Sequence, residues 1–491
     1  MARVYVRNFR GVGKRGDLLA SLDEGDEAFR ASYAELTPTA ANWYDMRPGA
    51  SGGEPFFEWP TVRDLAAAAP HNGPYEGRGS ALTDMDPEVV RRRMSAYFDP
   101  KVSDDALRAM HPSLVMTGNR IKGGETRTKI LAARRFNAAF VAPFMLKPFD
   151  KRFAYLDNIR PLFMEPSPTL LALARVPGTA FFIARNDSDV PEEGYVTSFG
   201  PTVCDRDFLR GHAYFFPVVL PGNAVEDDAS VQVGLSFDAR GEDRPNLSDA
   251  ARAHLAALGL PATPETSRLL WLHALATTHA PAYLRDHADG LRGGWPRVPL
   301  PADVAALRAS AALGARLAAL LDPDTPVPGV TTGALDPALA TVAVPRTRPG
   351  AARDWSLTGW GTRTEAGVTM PGRGSTTARD YAAPAEAATA ARADRLGART
   401  LDVAINGASL WSNIPEAVWE TRIGGYQVIK KWLSYRDATI LGRPLSEAEV
   451  THVQATARRL AAIRLMGPDL DAAHAACAAA HRPLGAPAPP G

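Results

Sequence analysis

The strongest constraint on what this chain can fold into lies in residues 418–436, which read V-W-E-T-R-I-G-G-Y-Q-V-I-K-K-W-L-S-Y-R. Gly424 and Gly425 stand together, and paired glycines let a backbone turn sharply or pass close to another surface. Apolar and aromatic residues then recur at steps of three and four: Tyr426, Ile429, Trp432 and Leu433. This spacing puts them on one face, so we predict a turn followed by an amphipathic helix that packs into a core.

Three cations of the same stretch, Lys430, Lys431 and Arg436, lie largely off that apolar face. The pattern has two interpretations. In the first, the helix is buried along one side and its lysines are simply solvated. In the second, the apolar face docks into a core while the cationic rim meets a polyanion.

The most cation-dense stretch is 117–136, T-G-N-R-I-K-G-G-E-T-R-T-K-I-L-A-A-R-R-F. Its candidate binding residues are Arg120, Lys122, Arg127, Lys129 and Arg134. Glycine lets backbone amides approach a phosphate, and arginine or lysine can reach the edges of bases. The alternative is an ordinary surface helix start.

A third candidate stretch runs over 143–157, P-F-M-L-K-P-F-D-K-R-F-A-Y-L-D. Most of its aromatic residues are predicted to lie in a core. Lys151 and Arg152 differ from them, because they are cations in an otherwise apolar block. We therefore include both among the candidate binding residues.

Several blocks of this chain resemble one known family. They are 418–436 with its continuation L-G-R-P-L-S at 441–446, the 143–157 block, R-P-L-F-M-E-P-S-P at 160–168, and a helical segment ending in W-P-R-V-P-L-P at 295–301. The resemblance is to the C-terminal specificity (target-recognition) half of type ISP restriction-modification enzymes and related adenine-specific DNA methyltransferases. It implies sequence-specific recognition of double-stranded DNA in a phage-defence system, with the candidate cations at the DNA.

Motifs for catalysis are missing from the sequence. An adenine methyltransferase of this kind needs a run of asparagine or aspartate, two prolines and an aromatic residue to hold the flipped base, and no such run occurs. No P-loop is present either. The resemblance therefore implies a recognition chain without its own catalytic motifs. It would hold no cofactor, with S-adenosylmethionine in the methyltransferase part, and would work with a methyltransferase or nuclease polypeptide.

Two alternatives to this interpretation stay open. In the first, the chain is a fragment whose catalytic part lies on an upstream polypeptide. In the second, it is an enzyme whose site the sequence does not reveal. Gly11, Gly13 and Gly16 match the pattern G-x-G-x-x-G, but no second strand of a βαβ unit follows at the right distance. The resemblance instead makes A-R-V-Y-V, at 2–6, the last strand of a methyltransferase domain.

The net charge, the spacing of cysteines and histidines and the lack of long apolar runs limit which other partners the chain can bind. The net charge is +1, so any DNA site must be a local patch of cations. Cys204 and Cys477 have no metal-ligand spacing, and the spacing of the histidines around 273–287 is not that of a closed zinc site. With no signal peptide and no apolar run of membrane-spanning length, we expect a cytoplasmic protein that binds no metal and no membrane.

The periodicity changes along the chain and predicts an α+β fold with two mixed lobes and a helical section between them. We expect a tail strand and linking helix of a methyltransferase-like domain over 1–40, and a first recognition lobe over 41–240. A helical section then covers 241–325, and a second lobe with C-terminal helices covers 326–480. The proline-rich tail, 481–491, is predicted to be disordered.

Overall fold

The structure is a computed structural model, and it describes residues 3–7, 14–36, 55–118, 121–157, 159–186, 194–222, 224–227, 232–235, 242–363 and 369–484. The first elements are β1 (Val4–Val6), α1 (Lys14–Ser21), α2 (Asp26–Ala31) and β2 (Ala34–Leu36). Strand β1 pairs antiparallel with β2. A strand and a following helix are thus present as predicted. Gly11 and Gly13 lie outside the described residues, and Gly16 lies within α1.

The next part, up to residue 245, mixes short helices and strands. The elements are α3 (Val62–Leu65), β3 (His71–Asn72), β4 (Thr83–Asp84), α4 (Pro87–Tyr97), α5 (Asp104–Met110), α6 (Gly123–Ala133), β5 (Val141–Lys147), β6 (Asp150–Tyr155), α7 (Pro168–Leu173), β7 (Phe181–Ala184), β8 (Thr197–Gly200), β9 (Tyr214–Pro217), β10 (Val219–Leu220), β11 (Ala224–Asp227), β12 (Gln232–Leu235) and β13 (Arg244–Pro245). Short 3-10 turns lie at Pro55–Glu58, Pro112–Val115, Ala138–Phe140 and Arg206–Phe208.

Two small antiparallel sheets organise this part, with strand orders β3-β9-β7-β8 and β4-β6-β5. All four residues of β7 are buried, as expected for a central strand covered on both faces. The β5–β6 hairpin carries the apolar block of 143–157. Its turn places Phe149 at a φ of 63°, in the left-handed region that non-glycine residues seldom adopt.

The helical section is formed by α8 (Asp249–Ala257), α9 (Pro264–His279), α10 (Pro281–Asp286), α11 (Ala288–Arg292) and α12 (Val304–Leu321). The predicted helical section between the two mixed parts is therefore present. Helix α12 is long and apolar enough to cross a membrane by length and composition alone. Core helices of soluble proteins share this character, and here Leu307, Leu317 and Leu320 are fully buried.

The last part contains α13 (Pro337–Ala340), β14 (Val344–Thr347), β15 (Gly361–Arg363), β16 (Thr369–Pro371), β17 (Thr376–Arg379), α14 (Ala387–Ala390), α15 (Ala393–Leu396), β18 (Thr400–Ala404), β19 (Ser409–Pro415), α16 (Glu416–Trp419), β20 (Arg422–Ile423), β21 (Tyr426–Gln427), α17 (Val428–Ser434), α18 (Ala438–Leu441), α19 (Glu447–Leu465) and α20 (Gly467–Ala479). Its main sheet is antiparallel, in the order β14-β19-β18-β17. Helix α19 begins with a capping box between Ser446 and Glu449, as the sequence pattern indicates.

The double-glycine turn differs in detail from the prediction. Gly424 and Gly425 have φ values of 55° and 79° and join the antiparallel strands β20 and β21. Two left-handed residues in a row make a tight hairpin turn, so Tyr426 lies on a strand and the helix begins only at Val428. Placing Tyr426 on the helix was therefore wrong. The predicted burial of Trp432 is confirmed, since its side chain is 3% exposed.

One continuous cluster of buried apolar residues runs from Phe56 to Leu470 and includes members of all three main parts. The predicted α+β class is confirmed, and the small sheets remain open rather than closing into a barrel. The proposed division into domains stays a prediction. Of the tail, His481 pairs with Pro301 through a β-bridge, and 485–491 lie outside the described residues.

Helices α9 and α12 cross so closely that a Cβ atom on Gly314 would lie 2.0 Å from the carbonyl oxygen of Leu272. We expect Gly314→Ala to lower the free energy of unfolding by roughly 1–3 kcal/mol, because the helices must move apart. Thermal and urea unfolding would measure the loss. Gly407→Ala is the control, since nothing lies within 4 Å of its Cβ position. Equal stability of the two variants would contradict this helix crossing.

Candidate nucleic-acid interface

Two of the predicted cationic stretches meet at one buried carboxylate. Asp150 opens β6, and its Oδ2 accepts a hydrogen bond from Arg152 Nη2 at 2.8 Å. Its Oδ1 accepts one from Arg436 Nη2, also at 2.8 Å, across 286 positions of sequence. All three side chains are buried. Arg152 and Arg436 were predicted as DNA-binding residues, but here both guanidinium groups bind the Asp150 carboxylate rather than facing solvent.

The buried carboxylate remains ionised. Burial by itself raises the pKa of Asp150, but the nearby Arg152 and Arg436 guanidinium groups outweigh burial and bring the pKa down to about 2. The Arg436 guanidinium also lies over the Trp432 ring, 3.8 Å from its centroid. The other stacking partner of Trp432 is His452, at 5.2 Å between ring centroids. Arg436 is thus fixed both by charge and by an aromatic surface.

Beside this carboxylate lies a group of two aromatic rings and four cations, here named the tyrosine–cation cluster. Its members are Tyr426, Tyr435, Lys147, Arg152, Arg210 and Lys431. The Tyr426 ring centroid lies 5.0 Å from Lys147 Nζ, 5.1 Å from Arg210 Cζ and 5.9 Å from Lys431 Nζ. The Tyr435 centroid lies 4.4 Å from Lys431 Nζ and 4.7 Å from Arg152 Cζ.

The cations of the tyrosine–cation cluster are unequally neutralised. Lys147 Nζ lies 3.2 Å from Asp205 Oδ1, and Arg152 has Asp150. Within the described part of the chain, no carboxylate forms an ion pair with Lys431 or Arg210. Burial lowers the pKa of Lys431 to about 8, and the nearby cations Lys147, Arg210 and Arg152 act in the same direction. The Asp150 carboxylate opposes this lowering but forms no ion pair with Lys431, so among the described residues neither Lys431 nor Arg210 has an ion-pair partner.

A second basic surface lies on α6 and its ends. The Lys122 and Arg134 side chains are 74% and 49% exposed, and Lys129 is also exposed. Lys122 Nζ lies 3.7 Å from Glu125 Oε1, and Arg134 Nε lies 3.8 Å from Asp157 Oδ1. The Lys122–Glu125 pair is exposed and therefore weak, so Lys122 can exchange its partner for a phosphate, whereas Arg134 pairs with the buried carboxylate of Asp157. Arg120 lies outside the described residues.

Arg127, on the same helix, points into the protein. It donates to the backbone oxygens of Tyr97 and Asp99 and pairs with Asp104 at 2.9 Å. A DNA contact by Arg127 would break these bonds, and its predicted role there remains a prediction. The glycine that opens α6 also has a packing reason, because a Cβ on Gly123 would lie 2.1 Å from the carbonyl oxygen of Val115.

A cleft of about 570 Å³ lies between 84–89 and 441–452. Lys151 lines it and forms an ion pair with Asp324. Its lining mixes both charge signs: Asp84, Asp86, Glu449, Lys151, Arg436 and Arg443. Helix α6 contributes no lining residue, so the structure does not join the α6 cations and the 430–436 cations across this cleft. Lys430 is half-buried on α17.

The sequence is similar to one family over most of its length. Residues 69–462 match the profile of the type ISP C-terminal specificity domain. The chain belongs to this family. No protein of curated function matches it.

Solved structures share the fold of this type ISP specificity domain. The ATP-dependent type ISP restriction-modification enzyme LlaBIII bound to DNA has a TM-score of 0.51 and 13% identity, over 91% of this chain and 26% of that one. The DrdV–DNA complex has a TM-score of 0.53 and 14% identity, over 90% of this chain and 40% of that one. The chain thus spans between a quarter and two fifths of these proteins.

Two cations of the cluster in this specificity domain, Lys147 and Arg210, were not among the predicted binding residues. Arg210 lies in R-D-F-L-R-G-H, four residues after Arg206 and outside the cation-rich stretches. Its backbone N–H donates to the carbonyl oxygen of Gly424 at 3.0 Å, which holds it beside Tyr426. Only this long-range contact brings it to the site, and no local pattern encodes such a contact.

In this specificity domain, Asp150→Asn leaves the buried Arg152 without its ion-pair partner and leaves the buried Arg436 with only the more distant Glu449, 3.8 Å from its Nε. We expect a loss of about 3–5 kcal/mol in the free energy of unfolding, measured by urea titration. Adding Arg436→Met should restore part of that loss, because one uncompensated cation is removed. Since folding lowers the pKa of Asp150 from 3.8 to about 2, wild-type stability should also fall as pH drops through this interval. A fully stable single variant would contradict the shared carboxylate.

The lowered pKa of Lys431 can be measured directly. Acetic anhydride modifies only neutral amines, so the rate at which Lys431 is labelled should reach half of its maximum near pH 8. Lys101, which is exposed, serves as the internal control in the same digest, read by mass spectrometry. Lys431→Met should raise the free energy of unfolding by roughly 0.5–2 kcal/mol, because a buried unpaired cation is removed. If the labelling rates of Lys431 and Lys101 depend on pH in the same way, the lowered pKa of Lys431 is contradicted.

Proposed function

We propose that this chain recognises a specific sequence in double-stranded DNA, as the specificity part of a type ISP restriction-modification system or an adenine-specific DNA methyltransferase. The observation that carries the proposal is the family match over 69–462. The structures with a similar fold, LlaBIII and DrdV, are DNA complexes, which supports DNA as the partner here.

The charge distribution supports the same partner. With a net charge of +1, the chain must hold DNA through local groups of cations. In this proposal the exposed Lys122, Lys129 and Arg134 contact phosphates along one face of α6. Lys430 and Lys431 act from α17. The buried Arg127, Arg152 and Arg436 hold these elements in place rather than contacting DNA in the resting structure.

Methyl transfer and cleavage belong, in this proposal, to methyltransferase and nuclease parts, on the same or on a partner polypeptide in the cytoplasm. S-adenosylmethionine is assigned to that methyltransferase part. Nucleoside cofactors bind at the carboxyl ends of parallel strands, whereas every pair among the described strands is antiparallel. The chain itself is thus proposed to read DNA without chemistry of its own.

The test begins with selection of bound duplexes from a random pool, followed by affinity measurements at several salt concentrations. We expect one enriched sequence, and a fall of log K with log salt. The triple variant Lys122→Gln, Lys129→Gln and Arg134→Gln should flatten that slope by about one unit for each phosphate that the protein no longer binds. Sequence preference should remain, because phosphate contacts position the protein without reading bases.

A matched control removes three exposed arginines elsewhere: Arg308→Gln, Arg316→Gln and Arg348→Gln. This control has the same change in net charge, so an equal slope change in both triple variants would assign the effect to bulk charge rather than to α6. A pool with no enriched sequence, tested with the methyltransferase polypeptide present, would overturn the proposed function.

A further inference from the structure

The positive charge of Lys431 has an unusual environment within this fold. Its side chain is half-buried and lies near the rings of Tyr426 and Tyr435, yet no carboxylate in the described part of the chain pairs with it. Two other cations of the cluster have partners, since Lys147 pairs with Asp205 and Arg152 pairs with Asp150. Holding an unpaired cation away from water is unfavourable. An arrangement of this kind is expected where an anion from outside completes the site.

Three cations converge on the same place. Lys147 Nζ, Arg210 Cζ and Lys431 Nζ all lie within 6 Å of the centroid of the Tyr426 ring. A tyrosine face carries only a partial negative charge, which balances a small part of this positive charge. One guanidinium and two ammonium groups suit a phosphate, because the guanidinium forms a planar fork and each ammonium acts as a point charge.

The backbone builds this convergence. Gly424 in the hairpin turn packs against 209–210, where a Cβ would lie 2.5 Å from a Leu209 side-chain carbon. The Gly424 carbonyl accepts from the N–H of Arg210, and its own N–H donates to the carbonyl of Tyr195 at 2.7 Å. The backbone of Arg210 is therefore held beside the hairpin turn by main-chain bonds, and its side chain extends from there to Tyr426.

The site can be reached from solvent. Arg210 is exposed, while Tyr426, Lys431 and Tyr435 are half-buried. The neighbouring Asp150, by contrast, is completely buried and already shared by two arginines. An incoming anion would therefore meet Arg210 and Lys431 before any paired group.

We propose that Lys431, Arg210 and Lys147, arranged around Tyr426, form a preformed binding site for one phosphate group. Assigning that phosphate to the DNA backbone rests on the proposed function. The site itself depends only on this cluster, because a free phosphate or a phosphate ester presents the same oxyanion. It adds Arg210 and Lys147 to the residues expected to bind the polyanion.

The first experiment uses inorganic phosphate with the whole chain. Thermal unfolding is compared in sodium phosphate and in sodium chloride of equal ionic strength, because phosphate also stabilises proteins in general. Wild type should gain a saturable rise of roughly 1–2 °C in melting temperature beyond that of the variants Lys431→Met and Arg210→Gln. Lys101→Met and Arg399→Gln, which remove exposed cations elsewhere, should respond as wild type does. An equal response of Lys431→Met and wild type would overturn the site.

The second experiment uses duplex DNA and separates the source of the phosphate. Lys431→Met should flatten the log–log salt dependence of DNA binding by about one unit, if the site holds a backbone phosphate. An unchanged slope in a variant that no longer responds to phosphate would overturn the assignment to DNA and leave a free phosphate or ester as the ligand. Failure of wild type to bind DNA would overturn the proposed function, while the phosphate response would still decide the site.

Discussion

The carboxylate of Asp150 is the constraint on which the arrangement around the cationic stretches depends. It receives hydrogen bonds from Arg152 on its own hairpin and from Arg436 after α17. A buried ion is tolerated only when its partners are close and well oriented, so these hydrogen bonds fix the position of α17 relative to the β5–β6 hairpin. That relative position also determines where Tyr435 and Lys431 lie. The tyrosine–cation cluster is therefore a consequence of how these buried charges are satisfied.

The basic residues of this chain divide into two groups with different physical roles. Arg127 and Arg436 are buried and direct their hydrogen bonds to carboxylates and backbone oxygens. Lys122 and Lys129 remain exposed on α6. Guanidinium groups can satisfy several acceptors at once, which suits them to the interior, whereas lysine heads are more strongly hydrated. A stretch that looks uniformly basic in sequence thus contributes both scaffold and surface.

Local patterns of this sequence predicted local structure well. The capping box at Ser446, the helical section between the mixed parts and the burial of Trp432 all follow from spacing of a few residues. The placement of Tyr426 on the helix was wrong because the two left-handed glycines close a hairpin before the helix begins. That Arg436 would bind Asp150, and that Arg210 would lie beside Tyr426, depends on contacts between residues hundreds of positions apart. Such contacts leave no periodic trace in one sequence.

Because Asp150 and Arg436 are far apart in sequence, the ribosome also synthesises them at well-separated times. A ribosome adds about 5–20 residues each second, so the 286 positions between them take roughly 15–60 s. Over that interval Asp150 has only Arg152, and the apolar surface that α17 and α19 later cover is still open. The core is continuous from Phe56 to Leu470, so it closes only when the last helices emerge. During translation, part of the apolar surface of the nascent chain therefore stays exposed until the helices of this last part are synthesised.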